Sequence, residues 1–227
     1  MADVTEQAQQ SMPEQIARAA AYVAAGGLLA LPTDTVYGLG VRADDAAAVC
    51  RLLAAKGRGR AMPPPVLIGE AARLDGIAAH VPDAAHALME AFWPGGLTLV
   101  LDAAPDLDWD LGDTDGTVAV RMPDHPLALA LLRATGPMAV TSANATGRPP
   151  ATDAAGVRAA FPGRVVDVVD AAVVDAAAVA PILLLDGGPT RGPVPSTIVS
   201  LVGPAAQAPQ VLREGVIARE QLEGVGA

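Results

Sequence analysis

The sequence predicts a mixed α/β fold in a single domain. Short apolar runs of strand length recur along the chain, and helical stretches separate some of them. The connections vary from tight turns to helices, so neither a hairpin sandwich nor a strict βαβ alternation fits. A length of 227 residues suits one large domain, and a hydrophobic content of 52% supplies a substantial core.

The strands are predicted from their apolar runs, which Gly- and Pro-rich segments interrupt without making a long linker. The predicted strands are residues 28–31, 66–68, 97–101, 118–121, 138–141, 182–185 and 197–201. Helical periodicity predicts helices at residues 13–25, 44–55, 82–92, 126–135 and 153–160. Asp44 opens the second of these as a capping residue. We expect an N-terminal tail at residues 1–12, one domain at 13–217 and a C-terminal tail at 218–227.

Composition and charge exclude several classes of protein. A formal net charge of -10 argues against nucleic-acid binding by general phosphate attraction, although a local basic groove stays open. No apolar run approaches the ~20 residues of a membrane span, and residues 1–6 lack a secretory signal pattern. The single cysteine, Cys50, excludes an internal disulfide and indicates a reducing, cytoplasmic location. We expect Cys50 to be a small buried residue on the second helix.

The common nucleotide and metal motifs do not occur. No G-x-x-x-x-G-K-[ST] loop and no G-x-G-x-x-G after a strand is found, so a nucleotide would need another mode of binding. The histidines lack metal-binding spacing. The acidic stretch 106–113 resembles a calcium loop, but Leu111 occupies the required glycine position and Thr117 the closing glutamate position. We therefore interpret that stretch as a solvated loop.

A short cationic loop follows the second predicted helix. Lys56 is the only lysine in the chain, and Arg58 and Arg60 lie within four residues of it. Like charges at this density repel unless solvent or a bound anion screens them. Lysine, arginine and the glycines between them could hold a polyphosphate. The alternative is a solvated helix C-terminus, where cations are also favoured.

Small polar residues collect where predicted strands end or begin. Hydroxyl- and glycine-rich segments occupy residues 31–40, 141–147 and 192–197, and Arg121 closes the run 116–121. Hydroxyl and amide donors with fixed cations suit an anion bound beside a small polar molecule. Taken singly, each segment also fits ordinary turn chemistry. Taken together, the segments predict one binding crevice.

Seven sequence blocks occur in the order found in the YrdC-like threonylcarbamoyl-AMP synthases, which this chain resembles from about residue 27 to residue 217. The blocks are residues 32–40, 56–58, 92–101, 118–123, 142–147, 195–197 and 212–215. The resemblance implies a twisted mixed sheet flanked by helices, with a concave basic cavity. It also implies a nucleotidyltransferase that joins L-threonine, bicarbonate and ATP into threonylcarbamoyl-AMP and pyrophosphate. That product serves threonylcarbamoylation of an adenosine beside the tRNA anticodon.

The resemblance also implies roles for individual residues. Those implied to face ATP are Lys56, Arg58, Thr117, Ser142, Asn144 and Arg213, of which Lys56 and Arg58 are the catalytic pair. Those implied on the L-threonine side are Thr33, Thr35, Tyr37, Arg121 and Ser196. Magnesium is implied as a companion of ATP, without a protein metal site. The implied partners are the substrates, a downstream tRNA threonylcarbamoyl transferase and a weak RNA contact, with no membrane.

The chain departs from the family pattern at three positions. Gly59 stands where proline is frequent, Leu67 where histidine is frequent and Pro195 where glutamate is frequent. We also expect a short form without the C-terminal extension of longer members. Two other functions stay open: a non-catalytic module for double-stranded RNA, and a transferase that makes a carbamoyl-adenylate from carbamoyl phosphate. Pyrophosphate release on omission of threonine or bicarbonate distinguishes all three.

Overall fold

A computed structural model describes residues 11–170 and 181–225, and a mixed β-sheet lies at its centre. The strands are β1 Leu28–Leu31, β2 Gly38–Arg42, β3 Val66–Leu67, β4 Leu97–Asp102, β5 Thr117–Arg121, β6 Met138–Ser142, β7 Val165–Asp167, β8 Ile182–Leu184, β9 Thr197–Ser200 and β10 Gln210–Arg213. The helices are α1 Met12–Ala24, α2 Ala46–Lys56, α3 Asp83–Phe92, α4 Pro126–Thr135, α5 Ala154–Ala160 and α6 Arg219–Glu223, with 3-10 turns at Ala71–Leu74 and Gly203–Ala206.

The ten strands form one sheet in the order β10-β9-β4-β5-β3-β6-β2-β1-β8-β7. Parallel pairs such as β4 with β9 alternate with antiparallel pairs such as β2 with β6. The mixed sheet confirms the predicted α/β class, and every predicted strand and helix is present. None of the helices in the described ranges is long and apolar enough to cross a bilayer.

Helices pack on both faces of the sheet and divide the core into two clusters. Leu28 of β1 faces the cluster that contains α2, α3 and α5, whereas Leu29 faces the cluster that contains α1 and α4. This alternation follows from the two-residue period of a strand. Because both faces of β1 are covered, the strand is apolar throughout, which explains why it was predictable.

Three strands and one helix were not predicted, for different physical reasons. Strand β2 contains Gly38 and Gly40, which weaken a strand, but it is paired on both edges with β1 and β6. Strand β10 is a mostly exposed edge strand and β7 is a short one at the opposite edge. Helix α6 lies in the segment predicted to be a tail, and its Leu222 packs into the main core cluster.

Cys50 is exposed, so the prediction that it is buried was wrong. Residues Val49, Leu52 and Leu53 of α2 face the core. With 3.6 residues per turn, the position after Val49 points towards solvent. The apolar character of cysteine therefore did not determine its environment.

We predict that Gly38→Ala lowers the free energy of unfolding by about 1–3 kcal/mol, because it overpacks the contact between β2 and β6. A Cβ at Gly38 would lie 2.5 Å from Val140 Cγ1, and the β-branched valine has little rotamer freedom to move away. Urea unfolding provides the measurement. Gly59→Ala is the matched control, since no atom lies within 4 Å of its added Cβ. Equal stability of Gly38→Ala and the parent protein would contradict the prediction.

Candidate active site

A cavity of about 310 Å³ opens between strand ends and the loops that join them. Its wall includes the loop after β1, the loop after α2, the ends of β5 and β6, the residues before β9 and the end of β10. A larger groove of about 510 Å³ lies between α3, α6 and β10, but its lining contains none of the predicted site residues. The smaller cavity is therefore the candidate active site.

The predicted site residues that meet in this cavity come from six separate segments of the chain. The predicted site residues that line it are Thr33, Thr35, Arg58, Arg121, Ser142, Ser196 and Arg213. The predicted site residues outside its lining are Tyr37, Lys56, Thr117 and Asn144. The cavity thus brings together hydroxyls and guanidinium groups that lie far apart in the sequence, while their individual roles towards a substrate stay predictions.

Arg58 reaches the cavity because of the way α2 ends. Gly57 adopts a left-handed conformation with φ of 61°, and the Arg58 N–H donates to the carbonyl of Leu53 at 2.9 Å. This pattern is a Schellman-type cap, which turns the chain back across the helix end. The Arg58 Nη1 then donates to Thr141 Oγ1 at 3.0 Å, whereas its buried Nε has no hydrogen-bond partner among the residues that the structure describes.

Arg121, at the end of β5, is held by three acceptors that belong to two loops. Its Nε donates to the Gly95 carbonyl at 2.9 Å, its Nη1 to Thr35 Oγ1 at 3.0 Å and its Nη2 to Asp34 Oδ1 at 2.5 Å. The side chains of Arg121 and Asp34 are 7% and 6% exposed. Asp34 Oδ1 also accepts from the Asp124 N–H at 3.1 Å. The pair is thus a fixed, buried ion pair whose charges largely cancel.

Arg213 enters the cavity from the edge strand β10. Its Nη2 donates to the Ser196 carbonyl at 2.7 Å and to Ser196 Oγ at 3.3 Å, and its Nε donates to the same carbonyl at 3.3 Å. Ser196 Oγ lies 2.9 Å from Thr98 Oγ1. The guanidinium is therefore oriented by the residue that precedes β9 and not by a carboxylate.

The cavity carries uncompensated positive charge. Burial lowers the pKa of Arg58, and burial together with the charges of Arg121 and Arg58 lowers the pKa of Arg213. Burial also lowers the pKa of Arg121, although Asp34 opposes this effect. Within residues 11–170 and 181–225, no carboxylate lies within 4.0 Å of Arg58 or Arg213. A bound anion would remove this repulsion.

Lys56 lies behind the cavity wall and is 2% exposed. Its Nζ donates to the carbonyls of Ser142 and Asn144 and to Asn144 Oδ1, the last at 3.0 Å. An ammonium group has three N–H donors, so these contacts satisfy it completely. Burial, with a smaller contribution from the charge of Arg58, lowers the pKa of Lys56 to about 7. In this geometry Lys56 fixes the turn that carries Ser142.

The remaining three predicted residues make structural contacts outside the cavity. Asn144 Nδ2 donates to the Arg148 carbonyl at 2.6 Å and closes the turn after β6. The Tyr37 hydroxyl lies 3.0 Å from Asp186 Oδ1 and 2.8 Å from the Gly188 carbonyl, at the loop after β8. Thr117 Oγ1 donates to the Thr114 carbonyl at 2.7 Å, at the end of β5 opposite Arg121.

Three polar residues of the site, Asp34, Thr98 and Thr141, are not among the predicted site residues. Asp34 stands between the predicted residues Thr33 and Thr35. An acidic residue beside an expected anion site indicates a cationic partner, and this was the signal in the sequence that could have identified it. Thr98 interrupts the apolar run 97–101 of strand β4, and this threonine is 1% exposed. The cavity lining also includes the apolar residues Met62, Leu67 and Ile198. Leu67, which replaces a frequent histidine, therefore contributes packing surface and no hydrogen bond.

The fold and this cavity define an α/β protein with a polar, positively charged cavity whose donors suit an anion beside a small polar molecule. Residues 21–215 match the family Sua5_yciO_yrdC, described as "Telomere recombination". The chain is 45% identical over 217 residues to a protein of Mycobacterium tuberculosis (strain H37Rv) provisionally named threonylcarbamoyl-AMP synthase, covering 94% of this chain and 91% of that protein. It is 41% identical over 225 residues to the threonylcarbamoyl-AMP synthase of Bacillus subtilis, covering 98% of this chain and 59% of that protein.

A solved structure agrees with the sequence relatives. The chain superposes on Pyrococcus abyssi Sua5 complexed with L-threonine with a TM-score of 0.80 and 35% identity, covering 95% of this chain and 58% of that one. The protein therefore belongs to the Sua5/YciO/YrdC family, as its sequence blocks predicted.

We predict that Lys56 makes the stability of the protein depend on pH. Its pKa falls from 10.5 in the unfolded chain to about 7 in the folded state. Between these values the unfolded chain binds more protons, so stability rises with pH by up to about 1.4 kcal/mol per pH unit. Urea unfolding at a series of pH values measures this slope. Lys56→Met should flatten it whatever its absolute stability, and parallel curves for the two proteins would refute the effect.

Proposed function

We propose that the protein is an L-threonylcarbamoyladenylate synthase, a nucleotidyltransferase that forms threonylcarbamoyl-AMP and pyrophosphate from L-threonine, bicarbonate and ATP. One observation carries the proposal: two guanidinium groups that have no carboxylate partner among the described residues share a cavity with six hydroxyl side chains and with Arg121, which is paired with Asp34. Family membership and the likeness to a Sua5 complexed with L-threonine support the same reaction.

The triphosphate is assigned to the side of the cavity formed by Arg58 and Arg213. Neither cation has a carboxylate partner in the described ranges, and planar guanidinium groups bind phosphate oxygens in a bidentate manner. The buried Nε of Arg58 has no partner within the same ranges, which leaves one donor for an oxygen. Ser142 lines the same cavity, and Lys56 supports it from behind through the Ser142 carbonyl.

L-Threonine is assigned to the side formed by Arg121, Thr35 and Thr33. Hydrogen bonds within the described part of the chain use three of the five N–H groups of Arg121, so two remain for a carboxylate. Thr33 and Thr35 hydroxyls lie 3.0 Å apart and form a polar edge beside this guanidinium. Because Asp34 neutralises Arg121, this side recognises its ligand by directed hydrogen bonds more than by net charge.

The reaction needs alignment more than an activated protein nucleophile. The amine of threonine attacks the carbon of carbon dioxide or bicarbonate and gives a carbamate, with release of a proton or of water respectively. A carbamate oxygen then attacks the α-phosphorus, and the bond to the bridging oxygen breaks as pyrophosphate leaves. Holding the reactants together contributes about 7–11 kcal/mol in favourable cases. Arg58 and Arg213 would stabilise the charge that moves onto pyrophosphate.

Magnesium is proposed as a companion of ATP and not as a resident metal. In the parts of the chain that the structure describes, no group of three or more His, Cys, Asp or Glu side chains could hold a metal ion. No described carboxylate lines the cavity, and Asp34 is committed to the neighbouring Arg121. Phosphate oxygens and water are sufficient magnesium ligands in nucleotide complexes.

The product is a mixed anhydride of a carbamate and a phosphate, which water hydrolyses. We therefore propose that a tRNA threonylcarbamoyl transferase consumes it promptly, in the cytoplasm, to modify the adenosine beside the tRNA anticodon. The formal net charge of the chain is -10, so most of its surface would repel RNA phosphates. We therefore propose that any weak contact with RNA lies at the basic mouth of the cavity.

We predict that Arg58→Ala reduces threonylcarbamoyl-AMP formation on the order of 100-fold, because it removes a directed cation from the leaving pyrophosphate. Pyrophosphate release and mass spectrometry of the adenylate provide the measurement. Arg73→Ala, an exposed arginine remote from the cavity lining, is the matched control and should retain full activity.

Omission of single substrates tests the function itself. A synthase requires both threonine and bicarbonate for pyrophosphate release, whereas a carbamoyl transferase acting on carbamoyl phosphate requires neither. An RNA-binding module would release no pyrophosphate under any condition. Either of the latter results would exclude the proposed reaction.

A further inference from the structure

Thr98 is a buried polar residue of the cavity to which the proposed reaction assigns no role. It lies in β4 between Leu97 and Leu99, which are both 0% exposed, and it is itself 1% exposed. Its side chain lines the cavity while those of its neighbours enter the core on the other face. A buried hydroxyl is costly unless it is hydrogen-bonded. Its partner is the hydroxyl of Ser196, at an oxygen–oxygen distance of 2.9 Å.

The sheet fixes this contact across a long stretch of sequence. Strands β4 and β9 pair in parallel, with Leu97 opposite Thr197 and Thr98 opposite Ile198. Ser196 immediately precedes β9, so the pairing brings its side chain over Thr98. Arg213 holds the same serine from the other side through the Ser196 carbonyl at 2.7 Å. Ser196 is therefore positioned between a strand hydroxyl and a guanidinium.

The hydrogen-bond inventory assigns a direction to the contact. Arg213 Nη2 can only donate, so Ser196 Oγ accepts at 3.3 Å. Among the described residues, Ser196 Oγ is the hydrogen-bond partner of the Thr98 hydroxyl. If Thr98 donates, its hydrogen is satisfied and the hydrogen of Ser196 is left for the cavity. If Ser196 donates instead, the buried Thr98 hydrogen loses its acceptor, which costs free energy.

We propose that Thr98 is a positioning residue that donates to Ser196 Oγ, so that the Ser196 hydroxyl hydrogen points into the cavity towards an anionic oxygen of the threonine-derived substrate. The class of group recognised is a carboxylate or carbamate oxygen, since a hydroxyl that already accepts two hydrogen bonds is poorly disposed to accept a third from an ammonium. This inference rests on the proposed synthase function and adds a residue to its amino-acid side.

The test compares Thr98→Val, which removes the hydroxyl, with Thr98→Ser, which retains it. Thr98→Val should raise the KM for L-threonine about tenfold, equivalent to the loss of one hydrogen bond, and leave the KM for ATP within about twofold. Thr98→Ser should restore the parent KM values. In a Ser196→Ala background, Thr98→Val should have no further effect on the KM for L-threonine, because the two hydroxyls act as one unit.

Results that differ from these expectations would contradict the role proposed for Thr98. Equal rises in both KM values, an additive effect in the Ser196→Ala background, or a Thr98→Ser variant as impaired as Thr98→Val would overturn the positioning role. Thr98→Ala replaces Thr98→Val if a melting curve shows that the valine variant does not fold. A parent protein that forms no threonylcarbamoyl-AMP would overturn the proposed function and this inference with it, whereas an active parent isolates the question of Thr98.

Discussion

Repulsion between the guanidinium groups of Arg58 and Arg213, to which the carboxylate-paired Arg121 adds, is the constraint on which the site depends. The fold opposes it by anchoring each group to a different element: Arg58 to Thr141 of β6, Arg121 to Asp34 and Gly95, and Arg213 to the Ser196 carbonyl. Only Arg121 has a carboxylate within ion-pair distance in the described ranges. The packed sheet thus holds the cations close together, and a bound anion would offset their repulsion.

The three cations of the loop at residues 56–60 point in different directions and have different structural roles. Lys56 points inward and supports the turn after β6, whereas Arg58 enters the cavity. Arg60 points outward and forms ion pairs with Asp110 at 2.7 Å and Asp113 at 3.4 Å. The acidic stretch that resembled a calcium loop therefore holds the far end of the cationic loop. Helix geometry at Gly57 explains the separation, because the cap reverses the chain between Lys56 and Arg58.

The sequence predicted strands and site residues correctly where the local apolar or polar pattern matched the burial seen in the structure. The apolar strand β1 and the cations Arg58, Arg121 and Arg213 were predictable, because apolar runs reveal buried strands and their polar ends reveal the edge where a site forms. Strand β2 was not, since its glycines are stabilised by close packing against Val140 and not by their own propensity. The contacts of Asp34 with Arg121 and of Thr98 with Ser196 join residues 87 and 98 positions apart, so only the fold reveals them.

The two sides of the cavity differ in how they select a ligand. Arg58 and Arg213 present net charge, so they attract a polyanion over a distance and their attraction weakens with salt. Arg121, neutralised by Asp34, and the paired hydroxyls of Thr33 and Thr35 act only at hydrogen-bond distance. A small zwitterion such as an amino acid carries little net charge, so directed donors discriminate it better than a field does. Under the proposed function, both kinds of recognition in one cavity would bring a charged nucleotide and a neutral amino acid within reach of each other.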